Sequence, residues 1–147
     1  MDAIQPALPE ALRQLAQAAN QAASRRRFED YQSRRAAHTL RRQQADLNLF
    51  AQFLALFGAP PADLFTQPDA WTPITWGLVE AFVKWQIKQG CAIASVNVRL
   101  STLKTYARLA FQAGSLNAAE YALIRSIQVE NNLGLVGLRS AIVEPKV

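Results

Sequence analysis

The chain has 147 residues and a formal net charge of +5 at pH 7, and half of its residues are hydrophobic. This length and composition predict one globular core and leave too little chain for two comfortable domains. Because Cys91 is the single cysteine and His38 the single histidine, an internal disulfide is excluded and we predict no metal site. The N-terminal sequence lacks signal-peptide character, and no run of about 18 apolar residues occurs, so we predict a cytoplasmic protein without membrane segments.

Nearly every segment of the chain shows the periodicity of a helix, and no β-branched run alternates as a strand would, so the predicted fold is all-α. Residues 1–37 are predicted to form an N-terminal arm that is helical from about residue 8 and has only a thin apolar stripe. The next helix is predicted to begin at Thr39 as its N-cap and to end at Gly58. Its predicted apolar face consists of Leu40, Leu47, Phe50, Phe53, Leu54 and Phe57.

Three further helices are predicted after a loop that contains four prolines, and the middle one is the segment from Ser95 to Gly114. Thr75 is predicted to cap a helix that ends at Gly90, and Asn117 is predicted to cap a short one that ends near Ile127. The inward residues of the Thr75 helix are predicted to be Leu78, Val79, Phe82, Val83 and either Trp85 or Ile87. Residues 129–147 contain Asn, Gly and Pro at positions that interrupt any periodicity, which is typical of a linker.

The segment from Ser95 to Gly114 is the most informative, because it predicts a helix with one apolar side and one small, polar and basic side. Short hydroxyl groups beside guanidinium groups allow a phosphate backbone to approach closely, so this side is a candidate DNA-binding face. The apolar stripe consists of Val96, Leu100, Leu103, Ala107, Ala110 and Phe111. The opposite side carries Ser95, Arg99, Thr102 and Arg108.

The basic charge is unevenly distributed, and arginine outnumbers lysine twelve to four. Because the guanidinium fork matches phosphate oxygens and guanine edges, this bias favours an anionic polymer as partner. An ordinary solvated helix face remains the alternative interpretation. The densest basic segment contains Arg25, Arg26, Arg27, Arg34, Arg35, Arg41 and Arg42, against only Glu29 and Asp30.

The aromatic residues are predicted to pack in the core, because most of them lie on helical stripes beside Leu and Val and few are placed to stack on bases. Trp71, in the proline-rich loop, is the least constrained of them. The three tyrosines are also assigned to packing, since no base or oxyanion cluster accompanies them. Glycine-rich phosphate loops, paired carboxylates and Ser-His-Asp sets are missing from the sequence, so we predict no cofactor, no small-molecule substrate and no enzymatic activity in this chain.

The order of the basic helix, the proline-rich loop, the Thr75 helix and the Ser95 helix along the chain resembles the core-binding domain of the tyrosine recombinases, the phage-integrase family. The resemblance covers roughly residues 35–130. That resemblance implies a SAM-like bundle of four core helices, here residues 38–128, which forms one half of a clamp around duplex DNA. The matching positions are Thr39 with Asp46, Leu47 and Phe50; Ile74 and Thr75; Gly90; Ser95 to Lys104; and Gly114.

The resemblance also implies that two helices face the DNA of a recombination half-site. Ala45 and Val98 could contact thymine methyl groups, or could be small enough only to leave the groove open. The implied DNA-binding residues are Thr39, Arg41, Arg42 and Ala45 on the first helix and Ser95, Val98, Arg99, Thr102 and Lys104 on the second.

The function implied by the resemblance is sequence-specific DNA binding within a site-specific recombinase or integrase, together with other recombinase subunits. The tyrosine-bearing catalytic domain is expected after residue 147, with residues 129–147 as the linker towards it. His38 and Arg41 spell the His-x-x-Arg motif of the family's active site, but no catalytic tyrosine follows in a matching context, so we interpret this as a chance match. The alternative function is a helical module for protein–protein contacts between recombinase subunits.

Overall fold

The computed structural model describes residues 9–129, which form five α-helices and one short 3₁₀ helix and contain no strand. The all-α prediction is therefore confirmed. Predictions for residues 1–8 of the arm and 130–147 of the linker lie outside the described residues. The helices are α1 (Glu10–Ser33), α2 (Ala37–Ala55), the 3₁₀ helix (Pro68–Trp71), α3 (Trp76–Lys88), α4 (Ile93–Gln112) and α5 (Ala118–Arg125).

Helix α4 is the central element, because α1, α2, α3, α5 and the 3₁₀ helix all pack against it. It begins at Ile93, two residues before the predicted start. Five of the six residues of its predicted apolar stripe are buried, which confirms the direction of that stripe. The sixth, Phe111, is partly exposed and stacks on Tyr121 of α5, with 5.1 Å between the ring centroids.

Helix α1 divides into two halves with different surroundings. Residues 10–21 are all exposed, so this half extends along the surface without burying a face. Further along, Phe28 and Tyr31 are buried and pack edge-on against the ring of Tyr106 in α4. The second half of α1 therefore contributes to the same core as α2 and α4.

The predicted helix ends follow from local backbone chemistry. Gly58, Gly90 and Gly114 have φ angles of 91°, 85° and 84°, a left-handed conformation that glycine adopts without a steric cost. At each of them two backbone N–H groups return to carbonyls of the last helical turn, which is the Schellman arrangement. All three predicted stops are therefore confirmed.

The helix starts agree with the predictions at two positions and differ at a third. Thr75 Oγ1 accepts a hydrogen bond from Leu78 N at 3.3 Å, and Asn117 Oδ1 accepts one from Glu120 N at 2.8 Å, so both predicted N-caps are confirmed. The prediction for Thr39 is wrong. The N-cap position of helix α2 is Ala36, three residues before Thr39, and the helix has no side-chain cap.

The proline-rich loop contains a fully buried tryptophan. Trp71 has no exposed surface, and its indole Nε1 donates to the carbonyl of Leu64 at 3.0 Å. The sequence predicted Trp71 to be the least constrained aromatic residue, whereas it is one of the most constrained. By contrast, Phe57, which was predicted to lie on the apolar face of α2, follows the end of that helix and is 75% exposed.

A polar network lies inside the bundle where α1, α2 and α4 meet. Tyr106 donates its hydroxyl proton to Gln43 Oε1 at 3.0 Å, and Gln43 Nε2 donates to the hydroxyl of Tyr31 at 2.9 Å. Gln32 Nε2 donates to the Tyr106 hydroxyl at 3.2 Å. Since buried polar groups are costly when unpaired, these bonds determine how the three helices fit together.

The stability of the protein is expected to fall between pH 10 and pH 12 because of Tyr106. Burial raises the pKa of Tyr106 to about 12, against a smaller lowering of the pKa by the hydrogen bond from Gln32. The folded state therefore favours the neutral hydroxyl. The contribution of Tyr106 to the free energy of unfolding is complete below pH 10 and is lost as the pH rises towards 12. Two pKa units correspond to a loss of about 3 kcal/mol.

Urea unfolding of the wild-type protein and of Tyr106→Phe over this pH range measures the effect. The two proteins differ only in the hydroxyl of this residue, so the difference between their stabilities isolates Tyr106. If the two free energies of unfolding fell in parallel above pH 10, the burial of this hydroxyl would not be the cause.

Candidate nucleic-acid interface

Helices α2 and α4 are joined at the surface by a charged and polar cluster. Asp46 of α2 is buried, and its Oδ2 accepts a hydrogen bond from the Thr102 hydroxyl of α4 at 2.7 Å. The same oxygen is 3.2 Å from Arg42 Nη1, and that nitrogen also lies 3.4 Å from Thr102 Oγ1. The carboxylate thus holds the hydroxyl of one helix and the guanidinium of the other in fixed positions.

Beside this cluster runs an open groove, which we call the α2–α4 groove. It has a volume of about 250 Å³ and is lined by Asp46, Ala94, Ser95, Val98 and Arg99. Its α4 side is built from small residues, and Val98 is exposed at 42% although it is apolar. Because the side chains of Ala94, Ser95 and Val98 are short, a ligand can approach this part of α4 closely.

A buried glutamine of α3 positions the guanidinium at the edge of the groove. Arg99 Nη1 donates to Gln86 Oε1 at 3.0 Å, and Gln86 Nε2 donates to the carbonyl of Phe82 at 3.4 Å. Gln86 is fully buried, so its amide is a rigid support. Arg99 itself is half-buried and retains further donors for a ligand.

The predicted site residues of α2 differ in where they lie. Thr39 is half-buried and shares a face with Arg42, three residues later, and with Asp46. Arg41 and Ala45 are exposed, but Arg41 is displaced around the helix from that face. Arg42 is therefore connected to the groove through its bond to Asp46, while Arg41 points to another side of α2.

Two predicted residues of α4 do not contribute to the open surface. Thr102 was predicted to lie on the exposed polar side, but only 2% of it is accessible because it is bonded to Asp46. Lys104 lies nine residues after Ser95, which is half a turn around the helix. Its ammonium group donates to the carbonyl of Ile127 at 2.5 Å, so it supports the end of the chain beyond α5 instead of the groove.

The sequence analysis did not find Gln86 as a supporting residue. It follows Val79, Phe82 and Val83 at helical spacing, so a polar amide stands in the apolar stripe of α3. That position was the available signal, because a buried amide requires a polar partner. Asp46 was noted only as a matching family position, although its spacing of four residues from Arg42 allows the observed ion pair.

Within residues 9–129, no three His, Cys, Asp or Glu side chains come together in a way that could hold a metal ion. No helix in this part of the chain combines the length and apolar character needed to cross a lipid bilayer. Comparisons with protein families, with curated proteins and with solved structures gave no match for this chain.

Proposed function

We propose that this protein is a DNA-binding module that holds duplex DNA against the α2–α4 groove. The observation that carries the proposal is that Ser95, Val98 and Arg99 line one open groove between two helices, and that Arg42 is bonded to Asp46, which lines the same groove. Guanidinium groups would bind backbone phosphates and set the register, while Val98 would contact a base edge or a thymine methyl group. The short side chains of α4 would let the backbone of the DNA approach.

The more specific proposal is the role of a core-binding domain in a site-specific tyrosine recombinase or integrase. Its support is the resemblance in the order of the Thr75 cap and the stops at Gly90 and Gly114, together with the position of the two implied DNA-facing helices beside one groove. In that role this chain would bind and orient the DNA in the cytoplasm, and a separate catalytic domain would cut it. The other recombinase subunits would be its protein partners.

A second candidate function is a protein-interaction module for subunit assembly. It is favoured by the exposed first half of α1, where Leu12 and Leu15 are 47% and 66% accessible. Two leucines one turn apart on an unpacked helix are available for a contact with another protein chain. This function and DNA binding can coexist, since they use different surfaces.

Salt-dependent binding to duplex DNA tests the first function. Removal of two groove cations in R42A/R99A is expected to reduce the slope of log affinity against log salt by about 2, because two phosphate contacts are lost. The matched control is K84A/K88A, which removes two exposed charges from α3. Fluorescence anisotropy with a labelled duplex gives both slopes, and circular dichroism checks folding.

Light scattering of the same variants separates the two candidate functions. Loss of DNA binding with an unchanged oligomeric state supports the DNA-binding module, and the reverse supports the interaction module. An affinity of the wild-type protein that stays flat between low and moderate salt would contradict the phosphate contacts.

A further inference from the structure

A second basic surface lies away from the α2–α4 groove, in a cleft between α1 and α4. We call it the arginine cleft. It has a volume of about 210 Å³ and is lined by four arginines with a single carboxylate: Arg27, Arg34, Arg35, Arg108 and Asp30, with Gln112 beside them.

The cleft follows from the spacing of its residues on two facing helices. Arg27, Asp30 and Arg34 are three or four residues apart, so they lie along one side of α1. Arg108 and Gln112 are four residues apart on α4 and face them across the cleft. Two helices thus bring their basic side chains to the same space.

The guanidinium groups in the cleft form no ion pair with the described part of the chain. No carboxylate of residues 9–129 lies within 4.0 Å of a guanidinium nitrogen of Arg27, Arg34, Arg35 or Arg108. Arg35 is instead held over the ring of Tyr31, 4.4 Å from its centroid. Like charges gathered in this way repel one another, and a bound anion would remove that repulsion.

A helix dipole alone does not explain this arrangement. Arg34 and Arg35 follow the C-terminal end of α1, where cations are favoured by the partial negative charge of the helix. Arg27 lies about two turns earlier, and Arg108 belongs to a different helix. These two side chains gain nothing from the end of α1, yet they line the same cleft.

We infer that the arginine cleft is a binding site for a phosphate or diphosphate group. Guanidinium forks bind tetrahedral oxyanions through paired hydrogen bonds, and several forks around one space suit a group with more than one negative charge. Arg27 and Gln112 also line an adjoining polar cavity of about 580 Å³, which includes Ser24 and Ser115. That cavity has room and hydrogen-bonding groups for the remainder of a phosphorylated ligand.

This site is distinct from the groove assigned to DNA binding, and the inference does not depend on that proposal. The sequence analysis grouped Arg108 with Arg99 on one side of this helix, but the two residues are nine positions apart, line different sites, and lie on opposite sides of α4 and about 13.5 Å apart along its axis. A phosphate bound in the cleft can come from a small phosphorylated molecule or from the backbone of a nucleic acid.

Isothermal titration calorimetry of the protein with sodium pyrophosphate, at an ionic strength held constant with sodium chloride, tests the inference. Saturable binding is expected for the wild type, and R27A/R108A is expected to weaken it by about 10-fold or more. The matched control is R25A/R26A, which removes the same charge from exposed positions of α1 that do not line the cleft. The control is expected to bind more tightly than R27A/R108A, since Arg25 and Arg26 do not line the cleft and their exposed charges are partly screened by salt.

A charge-preserving variant addresses the geometry of the site. R27K/R108K keeps both positive charges but loses the guanidinium forks, so weaker binding is expected with the fold intact. Absence of saturable binding by the wild type, equal weakening in R27A/R108A and R25A/R26A, or unchanged affinity in R27K/R108K would each overturn the site.

Thermal unfolding provides a second readout and identifies the source of the phosphate. At a pyrophosphate concentration ten times the dissociation constant, the wild-type melting temperature should rise by about 5 °C, and that of R27A/R108A much less. No rise in the wild type would contradict the site. Displacement of pyrophosphate by an unlabelled duplex would assign the phosphate to nucleic acid, and retention in the presence of duplex would assign it to a small ligand.

Discussion

Replacement of Ser95 and Val98 together by glutamate is expected to weaken binding to duplex DNA by about 100-fold or more at low salt. Both side chains line the α2–α4 groove, so the variant places two carboxylates on the surface that is proposed to contact the negatively charged DNA. Like charges in close contact cost far more than the loss of one favourable contact. Fluorescence anisotropy with a labelled duplex, repeated over a range of salt concentrations, measures the change.

The same substitutions are expected to leave the fold intact, which makes the experiment decisive. Ser95 is the third residue of α4, where a negative charge interacts favourably with the N-terminal end of the helix dipole. Val98 is largely exposed, and glutamate forms helices more readily than valine does. Loss of DNA binding could then not be ascribed to unfolding, and circular dichroism would verify this directly.

The matched control places two glutamates in the first turn of another helix. Ala118→Glu with Ala119→Glu adds the same charge to exposed positions of α5. These positions adjoin the opposite end of α4, roughly 20 Å from Val98 along its axis. If S95E/V98E bound DNA as well as this control did, the groove would not be the DNA-binding surface.

The second large effect concerns stability. Trp71→Ala is expected to lower the free energy of unfolding by about 3–5 kcal/mol, because it removes the largest fully buried side chain in the described part of the protein. The substitution also leaves the carbonyl of Leu64 without its indole partner. A loss of this size is a large fraction of the stability of a typical domain.

Trp76→Ala is the control for the removal of an indole group. Trp76 is 38% exposed at the start of α3, so the same truncation there removes less buried surface and is expected to cost clearly less than at Trp71. Urea unfolding followed by circular dichroism avoids the change in fluorescence that the loss of a tryptophan causes. Equal destabilisation by the two substitutions would contradict the role of Trp71 as the centre of the loop packing.

The features of the fold that could be predicted are those that depend on residues close together in the sequence. Helical periodicity, the caps at Thr75 and Asn117 and the stops at the three positive-φ glycines depend on residues within about one turn of each other. The start of α2 was misplaced because a good capping residue is not required there. Ala36 occupies the N-cap position, and packing of the helix compensates for the missing side-chain bond.

The candidate site could be predicted only in part. The spacing of Ser95, Val98 and Arg99 places them on one side of a helix whatever its surroundings. Thr102 belongs to the same side by periodicity, yet it is buried, because Asp46 of a distant segment reaches it. Lys104 was included through the family resemblance, but its side chain bonds to the carbonyl of Ile127.

The sequence by itself determined the all-α class, the order of the helices, most of their ends and the amphipathic character of α4, because each of these arises from neighbours in the chain. Only the tertiary structure decided that Trp71 is buried, that Gln86 supports Arg99 and that arginines of α1 and α4 meet in one cleft. These facts depend on which helix faces which. The packing of buried side chains that are far apart in the sequence determines which helices face each other, and a local sequence pattern does not predict that packing.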